Sequence, residues 1–554
     1  MAPLWLRWAE LPARSDIHQD KGTTEWGNHD LYPIVEKERT YGIGAYLLFW
    51  VTCGGGLSTF AIGSSYVVLG LTAGETCGAV LIGATLSSLN ALLVGRAGAI
   101  NHLGFTMSAR ISFGFRGWYL PLILGFMSSM VFFGLQAYYG GQAISLVLSS
   151  LSPGYLHMKN TLPESAGVTT QNLVGFFLYI ILYLPVIIFI PPHKLEFLMW
   201  PAFIGTMGTV FGIMAYSVSV NGGSVGNMVV PAISISSSNR GFRFVQCIST
   251  VVGTYGGASD RFSDWTRFAK KKNSHVIGTI MGMPIVITLC SLLGVITASA
   301  TKVHYGTTYW QPLTYLQFVL KSEYTAGSRA ALFFAGLAIF SHQVFVNATQ
   351  NNITAGMDLA GGFPRYVSMK RGALILCTLG ILCQPWRFFT QATVFLSVIG
   401  SFGVVTGPTT AILIIDYYIL RKGNWKIPDV FNGGSQSIYW YHKGVNLRAI
   451  VPYIIAIIPS FPGLVENIMG RTNSTVKIYQ LNYIVGFAIS AFLFYGANRF
   501  FPPPGTDISE PFEAWEGPAA IQGLDAGGSE SGSGTIAPTK GGVITNEKDA
   551  TEVV

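Results

Sequence analysis

The sequence predicts an all-α membrane protein with twelve transmembrane helices. Three observations carry that expectation. Apolar runs of about 20 residues, long enough to cross a bilayer, recur nearly from end to end of the 554-residue chain. Only 11% of the residues are charged, where a soluble domain carries about 25%, and the mean hydropathy is +0.45. The basic residues concentrate in every second loop, which is the mark of a fixed membrane topology. That placement also argues against reading the net charge of +8 as a nucleic-acid surface. The bilayer is the expected partner. Short strands of alternating polarity are not seen, so a β-barrel is disfavoured.

The first 40 residues are polar and charged, so no cleavable signal peptide is expected, and residues 1–41 read as a cytoplasmic N-terminal segment. A transporter-sized block, 42–500, follows. Its spans are expected at 43–70, 76–95, 118–150, 172–190, 197–219, 243–261, 275–299, 329–357, 372–385, 390–420, 449–465 and 480–500. Loops after even-numbered spans carry Arg96, Arg110 and Arg116; then His193 and Lys194; then Arg267, Lys270, Lys271 and Lys272; then Lys370 and Arg371; then Arg421, Lys422 and Lys426. Loops after odd-numbered spans are poorer, with Lys159, Arg240, Lys302, Lys321, Arg387 and Arg471. The bias puts both termini in the cytoplasm. Asn473-Ser474-Thr475, a glycosylation acceptor pattern, then falls outside, in agreement. From residue 501 onward, "PPPGTD" and "GGSESGSG" cannot bury a core. Residues 501–554 are therefore expected to form a disordered cytoplasmic tail. Lys540 and Lys548 are its candidate modification sites, where ubiquitin or trafficking machinery would act.

Two spans carry glycine runs, Gly54-Gly55-Gly56 in the first and Gly256-Gly257 in the sixth. Glycine costs about 1 kcal/mol against alanine inside a helix, and consecutive glycines at mid-depth invite unwinding. Freed backbone groups are tolerated there only where protein or a water-filled cavity satisfies them. With spans one to five as one half and six to ten as the other, both runs fall in the first member of a half. That is the pattern of an inverted-repeat transporter with its site between broken helices. The alternative is close helix packing through small residues.

Amides occupy equivalent spans of the two halves. "SHQVFVNATQNNITAGMD", Ser341 to Asp358, places Asn347 and Asn351 on one face of span eight, and Gln343 and Gln350 on one face as well. Such groups mark a substrate path or bond between helices. In span three, "FFGLQAYYGGQ" places Gln136 four residues after Phe132, on the same face. A carboxamide offers donor and acceptor to the edge of a heterocycle, and a ring stacks on its face. Tyr138, Tyr139 and Phe133 point elsewhere and read as packing. All six cysteines fall inside spans, with no metal-ligand spacing and no disulfide framework. With no P-loop or nucleophile elbow either, neither an enzyme nor a cofactor nor a metal is expected.

Four stretches together resemble motifs of the nucleobase–cation symporter family 1, the fungal uracil, allantoin and uridine permeases especially. They are "NHDLYPIVEKERTY" (Asn28 to Tyr41), "ARISFG" (Ala109 to Gly114), "FSDWTRFAKK" (Phe262 to Lys271) and "IDYYILRKG" (Ile415 to Gly423). The resemblance implies a fold like that of the sodium-coupled leucine transporter: a 5+5 inverted repeat, two extra helices, and transport by alternating access. It also implies a substrate held by an aromatic and a Gln on span three, an aromatic on span six and an Asn on span eight. By register these are Phe132, Gln136, Tyr255 and Asn351, with Asn347 adjacent. Phe132 stands where the family commonly has Trp, Arg261 where it has Asn, Tyr41 where it has Trp, and span one reads "GGGLSTF". These departures bear on the substrate more than on membership. Sodium sites of this fold use carbonyls of span one and hydroxyls of span eight. Here Phe345 and Val346 bring no oxygen ligand for a hard cation, so a proton is the expected coupling ion. Asp260, Asp264, Asp358 and His342 are candidate titrating groups, and Asp264 with Arg267 reads equally as a cytoplasmic gate pair. The expected function is proton-coupled uptake of uracil, allantoin or a related planar heterocycle at the plasma membrane. Within the family the alternatives are thiamine, a nicotinamide riboside-like compound or a purine; outside it, a non-transporting sensor.

Overall fold

The computed structural model describes residues 10–11, 24–190, 194–229, 233–469, 471 and 473–506. Residues 507–554, which include Lys540 and Lys548, and most of 1–23 lie outside the described residues. What is described is helical, with two isolated β-bridges, Tyr41 to Ala269 and His442 to Val445. Span 1 is a bent pair, Ile43–Gly54 and Leu57–Val68, with 44° between its halves. Span 2 is Ala73–Asn101, span 3 Tyr119–Leu151, span 4 Thr170–Phe189, span 5 Glu196–Val220, span 6 Ser237–Asp260 and span 7 Ser274–Tyr305. Span 8 is Ala326–Gly362, span 10 Ala392–Leu420 and span 11 Leu447–Ile468, with span 9, Met369–Leu382, between the eighth and tenth. Span 12 is again a bent pair, Ser474–Gln480 and Asn482–Phe500.

Ten of these are long and apolar enough to cross a membrane when each bent pair counts as one. The other two have local reasons. Span 9 has 14 residues. Span 6 opens on Ser237, Ser238, Asn239, Arg240 and Arg243, a polar start whose first turn is capped by the Ser236 hydroxyl accepting from Asn239 N–H.

The packing repeats with an offset of five. Span 1 lies on span 7 and span 6 on span 2; span 3 lies on span 4 and span 8 on span 9; span 5 meets span 8 and span 10 meets span 3. Exchanging each span with the one five places along turns every pair into its partner, which is what an inverted repeat requires. Spans 2 and 7, and spans 3 and 8, meet across the repeat.

The two glycine runs behave differently. In span 1 the helix stops at Gly54, Gly55 takes φ −84° and ψ 36°, and Gly56 is extended, with φ −111° and ψ 171°. The freed groups are met by protein. The Gly56 carbonyl accepts from Thr59 N–H at 3.1 Å and lies 3.4 Å from Cys290 Sγ, while the Thr52 carbonyl is 2.8 Å from His342 Nε2. Span 6 is a correction to the sequence reading. The helix runs through Gly256 and Gly257 without interruption and ends only at Asp260. A Cβ at Gly256 would lie 2.6 Å from Thr406 Oγ1 and 2.8 Å from Thr406 Cβ, so this glycine serves close contact with span 10. Keeping the hydrogen-bond ladder costs about 1 kcal/mol per glycine, less than freeing backbone groups with nothing to receive them.

The four motif segments meet at one end of the bundle. Asn28 Nδ2 donates to the carbonyls of Pro364 and Val367, and Asp30 Oδ2 accepts from Met369 N–H. Tyr41 pairs with the chain after span 6 through Phe268 and Lys270. Arg110, 1% exposed, donates to the carbonyls of Trp26, Val430 and Gly361. Asp416 holds Arg421 at 3.2 Å and accepts from Ser112. The segment before span 1 is thus a strap tied to the feet of spans 6, 8 and 9.

Candidate substrate site

A cavity sits where spans 1, 3, 6, 8 and 10 converge on the break. It is lined by Ser58, Phe132, Gln136, Tyr255, Gln350 and Asn351, with Cys53, Ser128, Ser129, Thr254, Gly257, Ala258 and Phe402 completing the wall. Among the described residues, no charged side chain lines it. Its volume is about 30 Å³, enough for water and too small for a heterocycle. The rings of Phe132 and Phe402 close over it, 4.7 Å apart at 43°. Gly257 leaves the wall open on the span-6 side, because the nearest atom to a Cβ there is Arg261 Nη1 at 4.0 Å.

Each polar wall group is positioned by a neighbour. Gln136, 8% exposed, donates from Nε2 to Ser58 Oγ at 3.2 Å, which ties the span-3 amide to the residue just after the break. The Tyr255 hydroxyl shares a short hydrogen bond with Thr59, so span 6 is tied to the same half-helix. Asn351 donates from Nδ2 to Asn347 Oδ1 at 2.8 Å. Asn347 donates in turn to the Phe133 carbonyl and the Tyr179 hydroxyl. Asn347 does not line the cavity; its place is behind Asn351, which it orients. Both lie on a π-helical turn, Asn347–Asn352, a wider winding that recurs at functional sites. Gln350, on the same turn, lines the cavity, and its Nε2 is buried without a partner.

Of the expected binding residues, the structure brings Phe132, Gln136, Tyr255 and Asn351 around one space. Sequence reasoning assigned no role there to Ser58, Ser128, Ser129, Thr254 or Phe402, and read Gln350 only as one of the span-8 amides of a substrate path or helix contact. Gln350 and the Ser128-Ser129 pair were visible as polar groups inside apolar spans. Phe402 carried no such signal, because one more aromatic in an apolar run looks like packing.

The charged candidates sit at the strap end. Asp264 and Arg267 form no direct ion pair, although each charge favours the other. Arg267 donates to the carbonyls of Asp30 and Tyr32 in the strap, and Asp264 Oδ1 accepts from Phe105 N–H at 2.8 Å. Burial and the nearby Asp358 push the Asp264 carboxyl up, against the pull of the Phe105 N–H and the Arg267 guanidinium. Besides Asp416 with Arg421, this end holds an ion pair of Arg261 with Asp358, Nε to Oδ2 2.6 Å, the side chains 4% and 0% exposed. It joins the foot of span 6 to the foot of span 8. Asp260 accepts from Thr410 of span 10.

A broken helix beside a charge-free pocket, inside a five-fold-offset repeat, defines a secondary transporter of the membrane. Residues 33–486 match the family described as "Permease for cytosine/purines, uracil, thiamine, allantoin", and the chain belongs to that family, which makes it a permease and not an enzyme. It is 32% identical to nicotinamide riboside transporter 1 of Saccharomyces cerevisiae, over 90% of this chain and 83% of that one. It is also 32% identical to a thiamine transporter of the same yeast, over 90% of this chain and 82% of that one. Among solved structures, the inward-facing conformation of Mhp1 superposes with a TM-score of 0.64 at 19% identity, covering 88% of this chain and 98% of Mhp1. That likeness concerns the fold.

Proposed function

We propose that this permease carries a planar nitrogen heterocycle of the uracil or allantoin kind into the cell, driven by protons, by alternating access. The observation that carries the reading is the cavity itself. Two amides, Gln136 and Asn351, and the aromatic rings of Phe132, Phe402 and Tyr255 face a space with no charged side chain, beside the break in span 1. Amides can read adjacent C=O and N–H groups on a ring edge, and the aromatic faces suit a flat molecule. The absence of a counter-charge favours a neutral one. The basic loops support both termini in the cytoplasm, and the lack of hydroxyls at Phe345 and Val346 supports a proton over sodium.

A second reading has its own support. Three aromatic rings can face a cationic ring, and the hydroxyls of Ser58, Ser128, Ser129 and Thr254 offer partners to a hydroxylated side group. Thiamine or nicotinamide riboside has both features, and relatives named for these two are 32% identical. The deciding experiment is a competition panel of labelled uracil, allantoin, purines, thiamine and nicotinamide riboside in cells lacking their own permeases, with and without an uncoupler. Competition by the uncharged rings alone supports the first reading; competition by the cations alone overturns it. Gln136→Ala is expected to abolish uptake while surface protein is unchanged, and unaltered kinetics would remove Gln136 from the site. Phe132→Trp is expected to shift preference among the panel members by about tenfold or more, the scale of a changed pocket wall; an unchanged profile would show that this ring does not touch the substrate.

A further inference from the structure

We propose that His342 carries the coupling proton, taking it on Nδ1 and passing its effect to the break in span 1. The proposal rests on the reading of this chain as a proton-coupled transporter. His342 stands on span 8 directly against the break and is 1% exposed. Its Nε2 lies 2.8 Å from the Thr52 carbonyl. A carbonyl only accepts, so Nε2 holds the hydrogen and Nδ1 is the basic nitrogen. Nδ1 is buried with no hydrogen-bond partner.

Gly56 lets the imidazole come up against the break. A Cβ on Gly56 would lie 3.0 Å from His342 Cε1, and 3.9 Å from both His342 Nδ1 and the Cys53 carbonyl oxygen. The ring edge that carries Cε1 and Nδ1 therefore packs against Gly56, next to the glycine that also approaches the Cys53 carbonyl. When a proton from the medium binds the Nδ1 lone pair, imidazole becomes imidazolium and no other bond breaks. The imidazolium keeps its Nε2–H on the Thr52 carbonyl, and its charge sits against the break beside the Cys53 carbonyl. Both carbonyls belong to the C-terminal end of the half-helix Ile43–Gly54, where partial negative charge favours a cation. On release, the same proton leaves from Nδ1 to the opposite side.

The break also touches the cavity. Cys53 and Ser58 line it, and Ser58 accepts from Gln136. A shift of residues 52–56 toward the imidazolium moves the partner of the substrate-facing amide, so proton and substrate affinities become linked, each changing the other by the same factor. The titratable groups that neighbouring elements bring to the break are Cys53 of span 1, Cys290 of span 7 and Tyr255 of span 6, through Thr59. The carboxylates are remote. Asp358 lies sixteen positions further along span 8, about 24 Å at 1.5 Å per residue, in its pair with Arg261; Asp260 is engaged by Thr410 and Asp264 by Phe105.

His342→Gln keeps an amide donor toward Thr52 and cannot take the proton. The test uses the full-length protein in permease-deficient cells, with whichever of labelled uracil, allantoin or thiamine the parent takes up. Accumulation is measured from pH 5 to 8 with and without an uncoupler, and exchange of preloaded substrate beside it. The expected result is at least tenfold loss of uphill accumulation and a flat pH profile in the variant, with exchange retained. Accumulation in the variant with the parent's pH profile overturns the assignment of His342, as does loss of exchange together with accumulation at normal surface level, which makes the residue structural. If the parent itself is insensitive to the uncoupler, proton coupling fails and His342 with it. Should the Gln variant not reach the surface, His342→Asn is measured by the same criteria.

Discussion

Span 1 and span 6 occupy equivalent places in the two halves, both contain adjacent glycines, and only span 1 breaks at them. The difference lies in what faces each pair. The break in span 1 has receivers for its freed groups in His342 and Cys290, which stand on spans 8 and 7. The glycines of span 6 face Thr406 of span 10 on one side and the cavity on the other. No helix gains by their unwinding, so the ladder persists to Asp260, and the chain turns at Arg261 and Phe262. A glycine pair permits a break; the opposing side chains decide whether it happens.

Substitutions along span 6 test this contrast. The largest effect is expected at its foot. Arg261→Ala removes one partner of a buried ion pair and strands Asp358, at a cost of about 3–5 kcal/mol, read as a fall in thermal stability of the detergent-solubilised protein. A near-neutral result would mean that span 6 is not anchored there. Gly256→Ala should cost about 1–3 kcal/mol, because its methyl group meets Thr406 and forces overpacking. Gly257→Ala, one residue on, should leave stability unchanged or raise it by up to about 1 kcal/mol, since it improves helix propensity in open space. That variant nonetheless projects into the cavity and should weaken substrate affinity. If the two alanines destabilise equally, span 6 is unwound at the pair after all and the contrast with span 1 disappears.

The site divides along the same line. Helical spacing alone aligned Phe132 with Gln136 and Asn347 with Asn351, because residues four apart share a face. It could not separate the amide that lines the cavity from the one behind it. That distinction comes from Tyr179 of span 4, which occupies Asn347 and leaves Asn351 to the cavity. Likewise Asp264 and Arg267 stand three residues apart and look like a pair. Partners from the strap and from Phe105 take their direct hydrogen bonds, and an ion pair forms between Arg261 and Asp358, 97 positions apart.

By itself the sequence determined the membrane class, the placing of the spans and the family motifs. These follow from one-dimensional quantities: the length of an apolar run, the loops in which arginine and lysine fall, and residue spacing along a helix. Only the tertiary structure decided which glycines unwind, which amide faces the cavity, that Phe402 closes on Phe132, and which acid meets which base. The physical reason is that each of these is a competition among partners distant in the chain. Its outcome depends on who stands opposite, a relation that chain order does not contain.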